Sequence, residues 1–270
     1  MFDTHIHLDL YEAEERNRML EAAWGSGIEG VVSVSMGLES CLVNREFALR
    51  HDGRIMPAYG HHPEQPPLDE EGLQVLCDWI QERGKEQESF AIGEVGLPYY
   101  TRKEAEEKGE VFDLSPYRRQ LEGFIRLASE LNRPIALHAV YEDADTVLDL
   151  LERHSIRKAH FHWFKGSSHT VTRIVRNGYY ISVTPDVLYE QEIRELVAAF
   201  PIDRLMVETD GPWPFEGPFA GKHTEPGMVR DVIREISLLR GLDVRNVTKA
   251  VNDNSRNFYG WNFDQRTRGL

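Results

Sequence analysis

Apolar residues along this 270-residue chain recur with two alternating periods. Short β-branched runs, of which Gly30-Val31-Val32-Ser33-Val34-Ser35 is the clearest, are followed by longer stretches in which Ala, Leu, Met or Ile return at helical spacing. The opening residues 2–7 predict a strand, and residues 12–26 a helix that stops at Gly25 and Gly27. The same alternation predicts strands over 30–35, 55–60, 90–95, 134–138, 159–162, 179–183 and 205–209. Helices are predicted over 39–50, 69–83, 116–131, 144–154, 169–177 and 190–200, with a closing pair near 226–239 and 244–258. Ser115 reads as the N-cap of the helix that Pro116 begins, and residues 99–113 read as a charged insertion. Eight strands alternating with helices predict an α/β fold with a parallel sheet, most simply a (β/α)8 TIM barrel built as a single domain over 1–270. An open doubly wound sheet is the alternative, and no Gly-rich dinucleotide fingerprint follows the first strand.

Composition narrows the partners. A hydrophobic content of 41% is enough for one large core, and a formal charge of -14 argues against a protein that coats nucleic acid without sequence preference. The charge does not exclude a nuclease, because bound divalent cations make one pocket locally positive. Cys41 and Cys77 lack a CxxC spacing and read as small hydrophobes in a reducing compartment. No basic segment leads into an apolar run at the N-terminus, and nowhere do about 18 consecutive apolar residues occur, so a cytoplasmic chain with no membrane span is expected.

The candidate chemistry lies where a barrel would use it. Side chains alternate along a strand, so Asp3, His5 and His7 share one face of the opening segment, and two imidazoles can grip one cation. Active sites of such barrels sit at the C-terminal ends of the strands, which demands that further ligands lie there. Glu94 falls in Gly93-Glu94-Val95-Gly96, His138 closes the fifth strand, His162 the sixth, and Asp210 follows the eighth. Each residue alone has an ordinary explanation: a strand-end salt bridge for Glu94, a packed histidine for His138, a turn before Gly211 for Asp210. Together, four imidazoles and two carboxylates exceed what one cation normally takes, which points to two metals, with Glu94 placed to bridge them. Asp3, His160 and Glu208 lie two residues deeper on the same faces and are candidates to support the ligands from behind.

Six segments give the chain a family likeness: Asp3-Thr4-His5-Ile6-His7-Leu8-Asp9, Gly60-His61-His62-Pro63, Gly93-Glu94-Val95-Gly96-Leu97, Pro134-Ile135-Ala136-Leu137-His138, His162-Trp163-Phe164-Lys165-Gly166-Ser167 and Glu208-Thr209-Asp210-Gly211-Pro212. With the closing Asn254-Ser255-Arg256-Asn257-Phe258-Tyr259-Gly260, they resemble the TatD family of metal-dependent hydrolases in order and span nearly the whole chain. The resemblance implies that His5, His7 and Asp210 hold one metal, that His138 and His162 hold a second, that Glu94 bridges them, and that His62 helps hold a substrate phosphate. Three positions depart from the family pattern: Pro98 stands where Asp is usual, Glu64 where His is usual, and Lys222-His223-Thr224-Glu225-Pro226 where an Arg-Asn-Glu-Pro type motif is usual. None of these is expected to touch a ligand, and all border the substrate pocket.

The expected reaction is hydrolysis of a phosphoester, as in a deoxyribonuclease or phosphodiesterase acting on single-stranded DNA or a nucleotide. Two divalent cations sharing a water lower its pKa enough to supply a bridging hydroxide near neutral pH. Asp210 is expected to accept the proton of that water, while His62 and a nearby base, Lys165 or Lys222, steady the phosphate. Zinc, manganese, magnesium, iron and nickel all suit nitrogen and oxygen ligands to differing degrees. No obligate protein partner is implied. Two rivals stand beside this reading. One is C–N or lactone hydrolysis, or deamination, with Glu142 as the acid that follows His138; the other is a catalytically silent scaffold. The loop 211–225, with Trp213, Phe215 and Phe219, is expected to be either a lid that stacks on a base or a hydrophobic clasp over the rim.

Overall fold

A computed structural model describes residues 1–51 and 53–261. Eight strands, β1 (Phe2–Ile6), β2 (Gly30–Val34), β3 (Ile55–Tyr59), β4 (Ala91–Gly96), β5 (Ile135–His138), β6 (Ala159–Phe161), β7 (Tyr180–Val183) and β8 (Leu205–Val207), pair in parallel and in chain order. The helices that alternate with them are α1 (Ala13–Gly25), α2 (Leu38–Arg50), α3 (Glu70–Lys85), α4 (Tyr99–Glu107), α5 (Ser115–Glu130), α6 (Glu142–Arg153), α7 (Ser168–Arg176), α8 (Gln191–Ala199), α9 (Val229–Arg240) and α10 (Val244–Tyr259). The order is that of a (β/α)8 barrel. At the seam between β8 and β1, Asp210 N–H donates to His5 O at 2.9 Å and His7 N–H to Gly211 O at 2.8 Å. Thr209 N–H donates to the Asp3 carboxylate at 3.0 Å, and Thr4 Oγ1–H to Val207 O at 3.0 Å. The seam is therefore tied at the rim that carries His5, His7 and Asp210.

Alternation along the strands feeds two cores. Val31, Ile55, Ile92, Ile181 and Val207 pack with helix residues such as Leu20, Leu121, Phe124, Leu148 and Ile233 in the layer between sheet and helices. The alternate positions Val32, Val34, Met56, Ala58, Ala91 and Met206 join Phe2, Phe258, Tyr259 and Trp261 in a separate cluster, which fills the barrel interior. Phe2 and Trp261 stack with ring centroids 4.6 Å apart, so Trp261 covers the start of β1, at the end opposite the polar rim. Among the described residues no helix is long and apolar enough to cross a membrane.

Two local expectations are corrected. Residues 99–107 of the charged insertion form α4 although none of them is buried. Arg102 with Glu106 at 3.1 Å and Lys108 with Glu104 at 2.6 Å form i,i+4 pairs along it, which support a helix that an apolar pattern cannot reveal. Ser115 does not cap α5; it is the first residue of that helix, and its N–H donates to Asp113 Oδ1 at 2.9 Å.

The rim also depends on a glycine. Gly96 pairs with His138 between β4 and β5, and a Cβ at Gly96 would lie 1.9 Å from His138 O. Gly96→Ala must therefore push β4 and β5 apart, and a loss of about 1–3 kcal/mol is expected for such overpacking. Chemical denaturation of the metal-free protein measures it, and an unchanged midpoint would show that the strands separate at no cost.

Candidate metal centre

The six side chains singled out at the strand ends meet. His5 lies in β1 and His7 just beyond it, Glu94 lies in β4, His138 ends β5, His162 follows β6 and Asp210 follows β8. All are buried, Glu94 with 0% exposure. They come from five strands, β1, β4, β5, β6 and β8, so only closure of the sheet brings them to one cup.

Glu94 is the centre of this cup, and its two oxygens face different neighbours. Oε2 lies 3.1 Å from His5 Nε2, 3.3 Å from His7 Nε2 and 3.4 Å from His62 Nε2. Oε1 lies 2.9 Å from His138 Nδ1 and 2.6 Å from His162 Nε2. Asp210 Oδ1 belongs to the first side, 3.4 Å from His5 Nε2 and 3.5 Å from His7 Nε2. The ligating atoms of His5, His7 and Asp210 lie within 4.8 Å of one another, as do those of Glu94, His138 and His162.

These distances fit a cation. Two donors each about 2.0–2.2 Å from one ion in tetrahedral arrangement are about 3.3–3.6 Å apart, close to the separations on the His5, His7 and Asp210 side. Asp210 Oδ1 is buried there without a hydrogen-bond partner, as are the outer Nδ1 atoms of His5, His7 and His162. A buried carboxylate oxygen that lacks a donor is costly, and a divalent ion would satisfy it. Imidazole and carboxylate without thiolate suit zinc and the harder first-row ions.

In the metal-free protein the charges balance among themselves. Burial alone would raise the Glu94 pKa, but the imidazoles of His162, His62 and His5 outweigh it and hold the carboxyl well below its usual range. Burial opposes protonation of His7, yet the Asp210 and Glu94 carboxylates raise its pKa to about 10. His5 goes the other way, well below normal, because burial and the neighbouring His162 both disfavour its cation. Its ring stacks on that of His162 with centroids 3.8 Å apart. His62 falls to about 3, first through burial.

The supporting residues divide. Glu208 stands behind His162, with Oε1 3.5 Å from His162 Nδ1, accepts the Trp163 N–H at 2.6 Å and takes the Ser182 hydroxyl on its other oxygen. His160 sits deeper, between Tyr259 OH at 2.7 Å and Ser182 Oγ at 2.6 Å. Asp3 serves no imidazole; its carboxylate accepts from Thr209 across the seam. Three non-glycine residues in the loops at the rim carry a positive φ, Asp210 at 48°, Tyr141 at 51° and Trp163 at 36°. Asp tolerates that region, whereas for Trp it is an outlier of the kind that clusters at functional sites.

A cleft of about 640 Å³ opens over the cup, walled by Met36, His62, Tyr100, Trp163, Lys165 and Trp213. Lys165 Nζ lies 3.7 Å from Asp186 Oδ2 and 5.3 Å from the Trp163 ring centroid. Lys222 does not line this cleft: it packs over Phe219 at 5.6 Å and lines a separate surface depression with Arg230 and Asp231. In the same loop Phe215 and Phe219 bury into a small cluster with Met228, against Trp163 and Tyr189. That cluster makes the loop a hydrophobic clasp, with Trp213 left 49% exposed at the cleft.

Glu64 also belongs to the site. Glu64 was expected to border the pocket without touching a ligand, yet its Oε1 lies 3.1 Å from His138 Nε2. Burial opposes its ionisation, but His138 and the Thr101 N–H outweigh burial and lower its pKa to about 2. The signal available in the chain was an acidic residue two positions after His62, opposite a segment that starts with Pro98 and lacks an acceptor of its own.

Imidazoles and carboxylates gathered at the C-terminal rim of a parallel barrel define a metal-dependent hydrolase. The family model for TatD related DNase matches residues 2–260, and the chain belongs to that family. An uncharacterized metal-dependent hydrolase of Haemophilus influenzae is 34% identical over 261 residues, covering 96% of this chain and 99% of that protein. The human protein named deoxyribonuclease TATDN3 is 28% identical over 265 residues, covering 94% and 93% of the two chains. Among solved structures, YjjV, a TatD homolog from Escherichia coli K12, superposes with a TM-score of 0.81 at 24% identity, over 97% of this chain and 98% of its own. This last likeness concerns the fold.

The pKa of His7 sets an expectation for metal uptake. A cation takes the neutral imidazole, and with a pKa of about 10 His7 is still protonated at pH 7, so metal must displace that proton. Affinity for Zn²⁺ is therefore expected to rise with pH between 6 and 9, with proton release on binding. Calorimetry in buffers of differing ionisation enthalpy reads both quantities, and a pH-independent affinity without proton release would contradict the assignment.

Proposed function

We propose that this chain is a two-metal phosphoester hydrolase acting on nucleic acid or nucleotides, working as one domain. The observation that carries the reading is the division of Glu94: one carboxylate oxygen faces His5, His7 and Asp210, and the other faces His138 and His162. A carboxylate so placed suits a bridge between two ions held on either side. Two divalent ions there would lower the pKa of a shared water and clamp the attacking and leaving oxygens of an in-line displacement.

The protein's own groups then have separable tasks. Asp210, with one buried oxygen on the His5 and His7 side, accepts a proton from the attacking water. His62, kept neutral by burial at the floor of the cleft, and Lys165 on its wall orient the phosphate. Trp213 and Tyr100, each 49% exposed, offer ring faces at the mouth on which a base can stack, a contact worth about 1–3 kcal/mol per base. The name of the human relative supports the nucleic-acid substrate. Deamination is the weaker reading here, because Glu142 begins α6 at the surface, 2.8 Å from Lys103, instead of reaching into the cup.

Purified protein reconstituted with Zn²⁺ or Mn²⁺ is expected to hold two equivalents and to cleave a bis-aryl phosphodiester and single-stranded DNA. Glu94→Ala is expected to lose at least one equivalent and to lower turnover by about 10²–10³-fold, as loss of a central electrostatic element does. Turnover confined to lactones or hydantoins would overturn the substrate class. A parent that binds a single equivalent, or a Glu94→Ala variant with parental turnover, would remove the bridging role.

A further inference from the structure

The two halves of the cup are supported unequally. His5, His7 and His162 all turn Nε2 toward Glu94. His138 is reversed: its Nδ1 faces inward, 2.9 Å from Glu94 Oε1 and 3.2 Å from His162 Nε2, and its Nε2 faces outward. That outer nitrogen meets Glu64 Oε1 at 3.1 Å. The outer nitrogens of His5 and His7 meet nothing comparable; both are buried without a hydrogen-bond partner.

Glu64 is itself held from three directions. Tyr100 N–H donates to its Oε1 at 3.0 Å, Thr101 N–H to its Oε2 at 2.7 Å, and Thr101 Oγ1–H to its backbone carbonyl at 3.3 Å. The two amides belong to the first turn of α4, whose N-cap is Pro98, a residue without a side-chain acceptor, and whose first turn has no acidic residue of its own. The loop after β3 thus supplies the acceptor that α4 lacks. The same carboxylate is thereby fixed in position against His138.

We infer that Glu64 is a positioning residue: held by the start of α4, its carboxylate keeps the His138 proton on Nε2 and the Nδ1 lone pair aimed at the Glu94 and His162 side. An imidazole whose outer N–H is bound by a carboxylate is a more basic and better oriented ligand, and loss of such a partner typically costs 10–100-fold in metal affinity. The consequence is an asymmetric pair of sites, in which removal of Glu64 weakens the His138 and His162 half and spares the His5, His7 and Asp210 half. The inference rests on the two-site reading proposed above.

Titration of metal-free full-length protein with Co²⁺, followed by its visible d–d absorption and by chelator competition, tests it. Glu64→Gln keeps one acceptor oxygen for the two α4 amides but offers the imidazole no carboxylate; Glu64→Ala removes both. The expected result is two equivalents in the parent, and in Glu64→Gln one equivalent bound as in the parent with the other weakened about 10–100-fold and an altered absorption band. The thermal midpoint of metal-free Glu64→Gln should fall less than that of Glu64→Ala, because one of the two α4 amides keeps its acceptor. Two parental affinities and an unchanged band in both variants would overturn the inference while leaving the two-site reading intact. Equal weakening of both sites would overturn the asymmetry, and a parent that takes up one equivalent would overturn the two-site reading and the inference together.

Discussion

The structure turns on a carboxylate that has no access to water. Glu94 is fully buried in β4, and an uncompensated ion in such a place costs several kcal/mol even after the protein relaxes. What makes the position tolerable is the ring of imidazoles around it, close enough that the carboxyl is held ionised against the effect of burial. The arrangement is costly for the histidines as well: His5 and His162 stack ring on ring, and burial together with the neighbouring His162 drives the His5 cation off, while the Glu94 and Glu208 carboxylates retain that of His162 against burial. A group of donors under this mutual constraint, with an orphaned Asp210 oxygen among them, is a preorganised receptor for positive charge.

The fold supplies that receptor at little local expense. Parallel strands buried on both faces need aliphatic residues along their length, and here His7, His138, His162 and Asp210 stand at or just beyond the strand ends, where the ladder hands over to loops. Two of the residues with a positive φ stand at the same place. The positive φ of Trp163 lets its N–H meet Glu208 and its indole N–H meet Asp186 at 2.6 Å, which anchors the turn directly after His162. Asp210 takes a left-handed conformation while its N–H closes the barrel seam onto His5 O. The bond that closes the sheet and the side chain that faces the cup thus belong to one residue, so barrel closure and site assembly are the same event.

Around this rigid base the rim elements differ in kind. The loop after β8 is fastened by Phe215, Phe219 and Met228, which leaves Trp213 as its contribution to the cleft. On the opposite side α4 buries no side chain of its own and is held to the barrel through Glu64 and through Arg102, whose guanidinium lies 2.8 Å from Asp143 Oδ1. One wall is therefore set by apolar packing and the other by charge, which makes the second the more sensitive to salt and to substitution.

The chain by itself determined the eight-fold alternation of strand and helix, because periods of 2 and 3.6 residues are written locally in which positions are apolar. It also determined the six cup residues, since a barrel uses the ends of its strands and these residues stand at those ends. Helix α4 was not legible in that pattern, because a helix held by ion pairs and by an acceptor from another loop has no apolar stripe. Lys222 illustrates the reverse limit: proximity in sequence to Asp210 said nothing of its direction, and its side chain packs over Phe219. Only the tertiary structure could show that Glu94 gives each half of the cup one oxygen and that His138 is turned over with Glu64 behind it. Ring orientation and the partner of an outer nitrogen depend on contacts between residues far apart in the chain, here 74 positions for Glu64 and His138, and no local pattern encodes them.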